Sequence, residues 1–177
     1  MELSLRWGQR SLDAFGDRSR QTLFAIVQGS VFEDLRAESA QRSIEAASTA
    51  GGYGGYAIGG LAVGEGHETM CRVLDFTTPH LPKDRPRYLM GVGKPIDLVE
   101  AVYRGVDMFD CVIPTRYARS ATVFTARGRI RLTNRKFRRD AFPVDASCDC
   151  YTCTGGFTRA YIHHLFAANE VLSAVLC

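Results

Sequence analysis

Long apolar runs are missing from this 177-residue chain, and so is an N-terminal stretch with the charged, apolar and small-residue regions of a secretory signal. The expectation is therefore a soluble, cytoplasmic protein without membrane contact. Net charge is also scarce. Twenty-two basic residues against 19 acidic ones leave +3, so bulk charge alone does not indicate a nucleic-acid binder. Acidic residues are absent between Arg116 and Arg139, where nine Lys or Arg stand. That stripe reads equally as a phosphate-binding footprint or as a solvated hairpin face. No Gly-rich phosphate loop follows the first apolar run, which argues against a doubly wound dinucleotide fold. The Gly51-Gly52-Tyr53-Gly54-Gly55 stretch precedes a strand and is a loop or hinge instead.

Hydrophobic residues make up 46% of the chain, which implies a packed core. Leu23-Phe24-Ala25-Ile26-Val27 is a continuous apolar run ending in Gln28-Gly29, the pattern of a strand buried on both faces of a parallel sheet. Three further short runs fit strands: Tyr56 to Gly60, Arg87 to Gly91 and Val106 to Cys111. Helices are predicted over 1–15, 33–48, 66–76 and, opened by Pro95, over 95–104. The spacing is that of βα units in series. Four such units make half of a (β/α)8 barrel, which typically needs about 250 residues. The predicted class is α/β, a partial TIM barrel over residues 1–120. Residues 121–177 form a second region. Ala121 to Thr125 and Arg129 to Thr133 flank Ala126-Arg127-Gly128 as a β-hairpin, cysteines follow, and one helix closes the chain from about Thr158 to Cys177.

Three of the six cysteines fall in a C-x-C-x-x-C cluster, Cys148, Cys150 and Cys153, while Cys71, Cys111 and Cys177 are scattered. That distribution fits a reduced compartment and one metal site better than a disulfide framework. Converging thiolates suit Zn2+ in a tetrahedral structural site.

Barrel enzymes work at the C-terminal ends of their strands. Here those ends carry Gln28, Gly60-Leu61, Met90-Gly91 and Asp110. An amide and exposed backbone can read the edge of a heterocyclic base, a thioether can pack on its face, and a carboxylate can attack a carbon or move a proton. Taken singly, Asp110 is as readily a strand-end cap or ion-pair member, Gly60 a packing device and Met90 a core residue.

Phe109-Asp110-Cys111-Val112-Ile113-Pro114-Thr115-Arg116 resembles the nucleophile segment of tRNA-guanine transglycosylases. Tyr88-Leu89-Met90-Gly91-Val92-Gly93 and Ile58-Gly59-Gly60-Leu61-Ala62-Val63-Gly64-Glu65 resemble that family's base-pocket segments. Val27-Gln28-Gly29 is similar to its amide-bearing strand. The cysteine cluster with Arg159-Ala160-Tyr161-Ile162-His163-His164-Leu165 resembles its zinc module. The resemblance implies exchange of guanine at the wobble position of a tRNA anticodon for a 7-deazaguanine, either preQ1 or queuine. Asp110 would be the nucleophile, through a covalent adduct with the ribose. Gln28, Gly60 and Leu61 would bind the base edge, and Met90 its face. Gly91, Val92, Gly93, Lys94, Pro95, Ile96 and Asp97 would contact RNA, as would Thr115, Arg116, Tyr117, Ala118 and Arg119. Structural Zn2+ on Cys148, Cys150 and Cys153, a tRNA partner and a homodimer are further implications. Val63 goes with the small aminomethyl precursor used by bacteria.

The chain departs from the family's pattern in four places. Its second essential Asp, and another that reads the base, belong upstream of these residues. Its fourth zinc ligand, a His, belongs just beyond Cys177, so His163 and His164 are not assigned as ligands. The segment Ala47 to Gly55 is longer than the family's, and Tyr117-Ala118 replaces a frequent Ser-Gly. The expectation is a chain corresponding to the second half of the enzyme and inactive alone. The alternative is a non-catalytic, zinc-stabilised RNA-binding accessory subunit, which the presence of Asp110 opposes.

Overall fold

The structure is a computed structural model describing residues 1–16, 20–49, 52–62 and 64–177. Val63, and with it the reading of precursor size, lies outside the described residues, as do Ala50 and Gly51 of the long glycine-rich segment. The chain divides into two compact units, 1–111 and 112–177, the break falling just before the helix that carries Thr115 to Arg119. Among the described residues no helix is long and apolar enough to cross a membrane.

The first unit runs α1 (Glu2–Phe15), β1 (Phe24–Val27), α2 (Glu33–Thr49), β2 (Gly55–Ile58), α3 (His67–Thr77), β3 (Arg87–Leu89), α4 (Pro95–Tyr103) and β4 (Met108–Phe109). The four strands form one parallel sheet in the order β1-β2-β3-β4. The predicted alternation of strand and helix is therefore present. The strands are shorter than predicted, and the fourth is only two residues long. β2, β3 and β4 end before their predicted last residues, which form loops, while β1 and β4 start later than predicted.

Register decides which side chains share a face. Val27, Ile58, Leu89 and Phe109 are matched across the sheet. Of these Val27, Ile58 and Leu89 are fully buried, and they form one core with Val73, Leu74, Met70 and Ala101 of the helices. Ile26, Ala57, Tyr88 and Met108 share the opposite face. Ile26 is 46% exposed and Met108 43%. The expectation that β1 is buried on both faces is thus corrected: at the edge strands β1 and β4 the second face is apolar but open, while Ala57 of β2 between them is buried. In α1, Leu12 is buried while Leu3 and Trp7 are exposed. These two border a groove of about 650 Å3 together with Phe24 and Ile26 of edge strand β1.

The second unit contains α5 (Ile113–Arg119), the antiparallel pair β5 (Thr122–Thr125) and β6 (Gly128–Arg131), then α6 (Tyr151–Thr154), α7 (Arg159–Ala167) and α8 (Leu172–Val175). Thr125 pairs with Gly128, so the turn is Ala126-Arg127 and Gly128 belongs to the strand. A separate core of Val123, Leu132, Phe137, Val144, Ile162, Leu165 and Leu176 supports it. The single closing helix is corrected to two. Thr158 caps α7 by accepting the Tyr161 N–H at 3.1 Å. Asn169 then takes φ +56, a left-handed conformation that Asn tolerates, and ends the helix.

Candidate active site and cysteine cluster

Parallel strands place all their C-terminal ends on one edge of the sheet. The order β1-β2-β3-β4 therefore sets Gln28, Gly60-Leu61, Met90-Gly91 and Asp110 side by side in sequence order along one rim. Asp110 follows β4. Its Oδ1 accepts two hydrogen bonds, from the Tyr88 hydroxyl at 2.7 Å and from the Gly91 N–H at 2.8 Å. Both donors stabilise the anion. They hold the carboxyl below its ordinary range, the Tyr88 bond contributing most, while the same bond raises the Tyr88 phenol. Asp110 is exposed and ionised at neutral pH, and both side-chain-directed donors use Oδ1, leaving Oδ2 to meet a ligand.

Local sequence explains why these groups meet. Tyr88 lies opposite Met108 in the ladder, so its hydroxyl reaches diagonally past Phe109 to Asp110. Its ring is met edge-on by Phe24, with centroids 6.4 Å apart. Phe24 finds room because its partner in β2 is glycine: a Cβ on Gly55 would stand 2.3 Å from the Phe24 ring. Gly91 has φ +75, which glycine adopts without strain, and this turns its N–H onto the carboxylate. Gly93 lies against the residue after Asp110, since a Cβ there would stand 2.3 Å from Cys111 Cβ.

The Gln28 side chain lies along the double glycine after β2. A Cβ on Gly59 would come 2.6 Å from Gln28 Nε2, and one on Gly60 3.3 Å from Oε1. Gly60 is exposed, Leu61 buried and Met90 half-buried. The residues read as base-contacting thus sit on adjacent strand ends, and Gln28 touches Gly59 and Gly60 directly.

The segment Gly91 to Asp97 is mixed. Gly91, Lys94, Pro95 and Ile96 are exposed and Gly93 half-buried, but Val92 and Asp97 are buried. The Asp97 carboxylate faces His67 Nδ1 at 2.7 Å, tying the start of α4 to the start of α3. In the second unit Thr115, Arg116 and Arg119 project from α5 into solvent, Tyr117 is half-buried and Ala118 buried. Tyr117 stacks on Phe124 of β5 with centroids 5.7 Å apart. Tyr88, Arg36, Ser39 and His67 carry no signal of their own in the sequence. Only the strand register brings Tyr88 to Asp110, and no local pattern announces that.

The sulfurs of Cys148, Cys150 and Cys153 lie within 4.8 Å of one another. Zn–S bonds of about 2.3 Å give a tetrahedral S–S edge of roughly 3.8 Å, so small side-chain adjustments suffice to ligate one ion. The donor set fits zinc. Cys150 precedes α6, whose Thr154 N–H returns to its carbonyl at 3.0 Å. Asp145 braces the approach to the cluster. One oxygen accepts the Ser147 N–H and hydroxyl at 2.9 and 2.7 Å, and the other accepts the Ala126 N–H of the hairpin turn at 2.6 Å. These donors bring its pKa down to about 2. His163 Nδ1 meets the Leu132 carbonyl at 2.8 Å, a packing role within its own unit.

A family model for queuine tRNA-ribosyltransferase matches residues 1–177. Curated proteins of that name are similar over almost the whole chain. The one from Caulobacter vibrioides is 58% identical over 176 residues, covering 99% of this chain and 46% of that protein. The one from Bacillus subtilis is 56% identical over 170 residues, 96% of this chain and 43% of its own length. The one from Haemophilus ducreyi is 54% identical, with 99% and 45% covered. The chain thus spans about half the length of these relatives.

Proposed function

This chain belongs to the queuine tRNA-ribosyltransferase family, and we propose that it carries the nucleophile, much of the base pocket and three zinc ligands of a tRNA-guanine transglycosylase. The four parallel βα units are read as part of a (β/α)8 barrel, and the second unit as a zinc-binding subdomain. The reaction is exchange of the wobble guanine of a tRNA for a 7-deazaguanine base, in a soluble cytoplasmic enzyme that pairs as a homodimer.

Asp110 Oδ2 attacks C1′ of the ribose. The C1′–O bond forms as the C1′–N9 bond to guanine breaks, and guanine leaves as its N9 anion and takes a proton from water, to which the incoming base later gives up its own N9 proton. The incoming base then re-forms a bond to C1′ and releases the carboxylate. Two displacements at one carbon retain its configuration, as in retaining glycosidases. The target nucleotide must leave its stack to reach the rim. Gln28, the Gly60 and Leu61 backbone and Met90 hold the base. Exposed Gly91, Lys94, Ile96, Arg116 and Arg119 contact RNA, and the basic hairpin meets phosphates. Cys148, Cys150 and Cys153 would hold Zn2+, which closes the loop on α6 and takes no part in the chemistry.

One observation carries the reading: an ionised carboxylate, oriented by two donors to the same oxygen, on the same rim of strand ends as a glutamine amide laid on a double glycine. The test uses the complete reading frame that holds these residues, with tRNA and labelled guanine. Asp110→Asn is expected to abolish incorporation and the covalent RNA adduct. Undiminished exchange in that variant refutes the assignment.

A further inference from the structure

Arg36 is fully buried, yet its guanidinium forms no hydrogen bond to a carboxylate among the described residues. It donates instead to three backbone carbonyls: Nε to Ser30 at 2.8 Å, Nη1 to Val27 at 3.2 Å and Nη2 to Gly59 at 2.8 Å. Ser39 lies one turn further along α2, on the same face, and is 1% exposed. Its Oγ accepts the Gln28 N–H at 3.1 Å.

These four bonds converge on two neighbouring strand ends, three of them on residues 27–30 and one on Gly59. Val27 and Ser30 flank Gln28, and Gly59 opens the double glycine against which the Gln28 amide lies. A sheet does not need them for cohesion, because β1 and β2 are already joined by their ladder, with Gly59 N–H also reaching the Val27 carbonyl at 3.1 Å. A buried cation is a poor stabiliser, and apolar groups of similar volume often do as well or better. Burial here lowers the Arg36 pKa to about 10, against the opposing influence of Glu65. What the planar fork supplies is geometry: three acceptors from two strand ends fixed by one rigid group. Gly29 makes this approach possible. A Cβ there would stand 2.7 Å from the Arg36 backbone nitrogen.

We propose that Arg36 and Ser39 are positioning residues that hold Gln28 and Gly59-Gly60 in the geometry that selects the exchanged base. This rests on the reading of Gln28 and Gly60 as base contacts and names what presets them.

The experiment measures base exchange in the complete reading frame, varying base at saturating tRNA and tRNA at saturating base. Ser39→Ala removes a single acceptor and is expected to raise KM for the base about threefold to tenfold, the scale of one net hydrogen bond. Arg36→Lys keeps the charge but loses the fork, and is expected to raise it at least about tenfold. KM for tRNA should change less than KM for the free base in both, since most of the proposed RNA contacts lie outside the base pocket. A merely structural role would lower the active fraction, hence kcat, and leave both KM values unchanged. Gln28→Ala separates the two claims. If it raises base KM while Ser39→Ala and any folded Arg36→Lys do not, positioning is overturned and the base reading stands. If Gln28→Ala leaves base KM unchanged, the base reading fails and the positioning claim with it. Should Arg36→Lys not fold, Ser39→Ala decides alone.

Discussion

Asp110 is held as its anion because two donors prefer the charged form. Hydrogen bonds to the charged form lower a pKa, and the Tyr88 hydroxyl is the larger of the two influences. The sign follows for activity. In the proposed reaction the attacking form is the carboxylate, so exchange should persist above the depressed pKa and be lost as pH falls through it. Tyr88→Phe removes the larger donor and raises the Asp110 pKa towards its ordinary value. The acid limb of kcat/KM should therefore move to higher pH in Tyr88→Phe, with the rate near neutrality changed less than the rate under acid conditions. Superimposable pH profiles would refute the role given to Tyr88. The contrast in legibility is instructive. Asp110, Gln28 and Met90 could be proposed from the sequence because strand ends in such folds are where chemistry sits. Tyr88 and Arg36 could not. One is mid-strand and the other looks like any arginine of a polar helix, and their meaning arises only when register and helix packing bring them to a neighbouring strand.

At the scale of elements, two loops work by close approach. Gly93 has an ordinary backbone conformation, so its glycine is there for space: a Cβ would stand 2.3 Å from Cys111 Cβ and 2.7 Å from its Sγ. Gly93→Ala should destabilise the fold by about 1–3 kcal/mol, the usual cost of overpacking. Cys111→Gly in the same chain should recover part of that loss, a coupling readable as a double-mutant cycle in urea midpoints. Additive losses would mean the loop relaxes freely. In the second unit Asp145 links the hairpin turn to the cysteine cluster. Its depressed pKa gives the sign. The stabilisation is complete above the unfolded carboxyl pKa and is lost as pH falls through about 2. Hydrogen exchange at the Ala126 amide should stay slow down to that pH, and become fast already at neutral pH in Asp145→Ala. Zinc content should be about one ion per chain in the complete reading frame, measured after purification without chelator. The hairpin was legible from its alternating residues, whereas the break between α7 and α8 was not, because an Asn following Phe166-Ala167-Ala168 gives no sign that it will adopt φ +56.

Over the whole molecule, the parallel order of four strands was written in the succession of apolar runs and helix patterns. The covering of the sheet was not. An apolar run such as Leu23 to Val27 looks the same whether its second face meets a helix, another part of a barrel or nothing. Here the face bearing Ile26, Tyr88 and Met108 is left open by these residues, with Ile26 46% exposed. The relatives are about twice as long as this chain. If the proposed barrel is right, the rest of it buries that face, because inward side chains of such barrels fill their interior. Ile26→Asp should therefore act differently in two contexts. In the 177 residues alone it exchanges one partly solvated side chain for another, and the unfolding free energy should change by no more than about 0.5 kcal/mol. In the complete reading frame it buries an unpaired carboxylate, and the loss should exceed about 2 kcal/mol. Paired urea titrations of both forms measure the difference directly. A small effect in both would mean that the face stays open to water, which a closed eight-stranded interior does not allow.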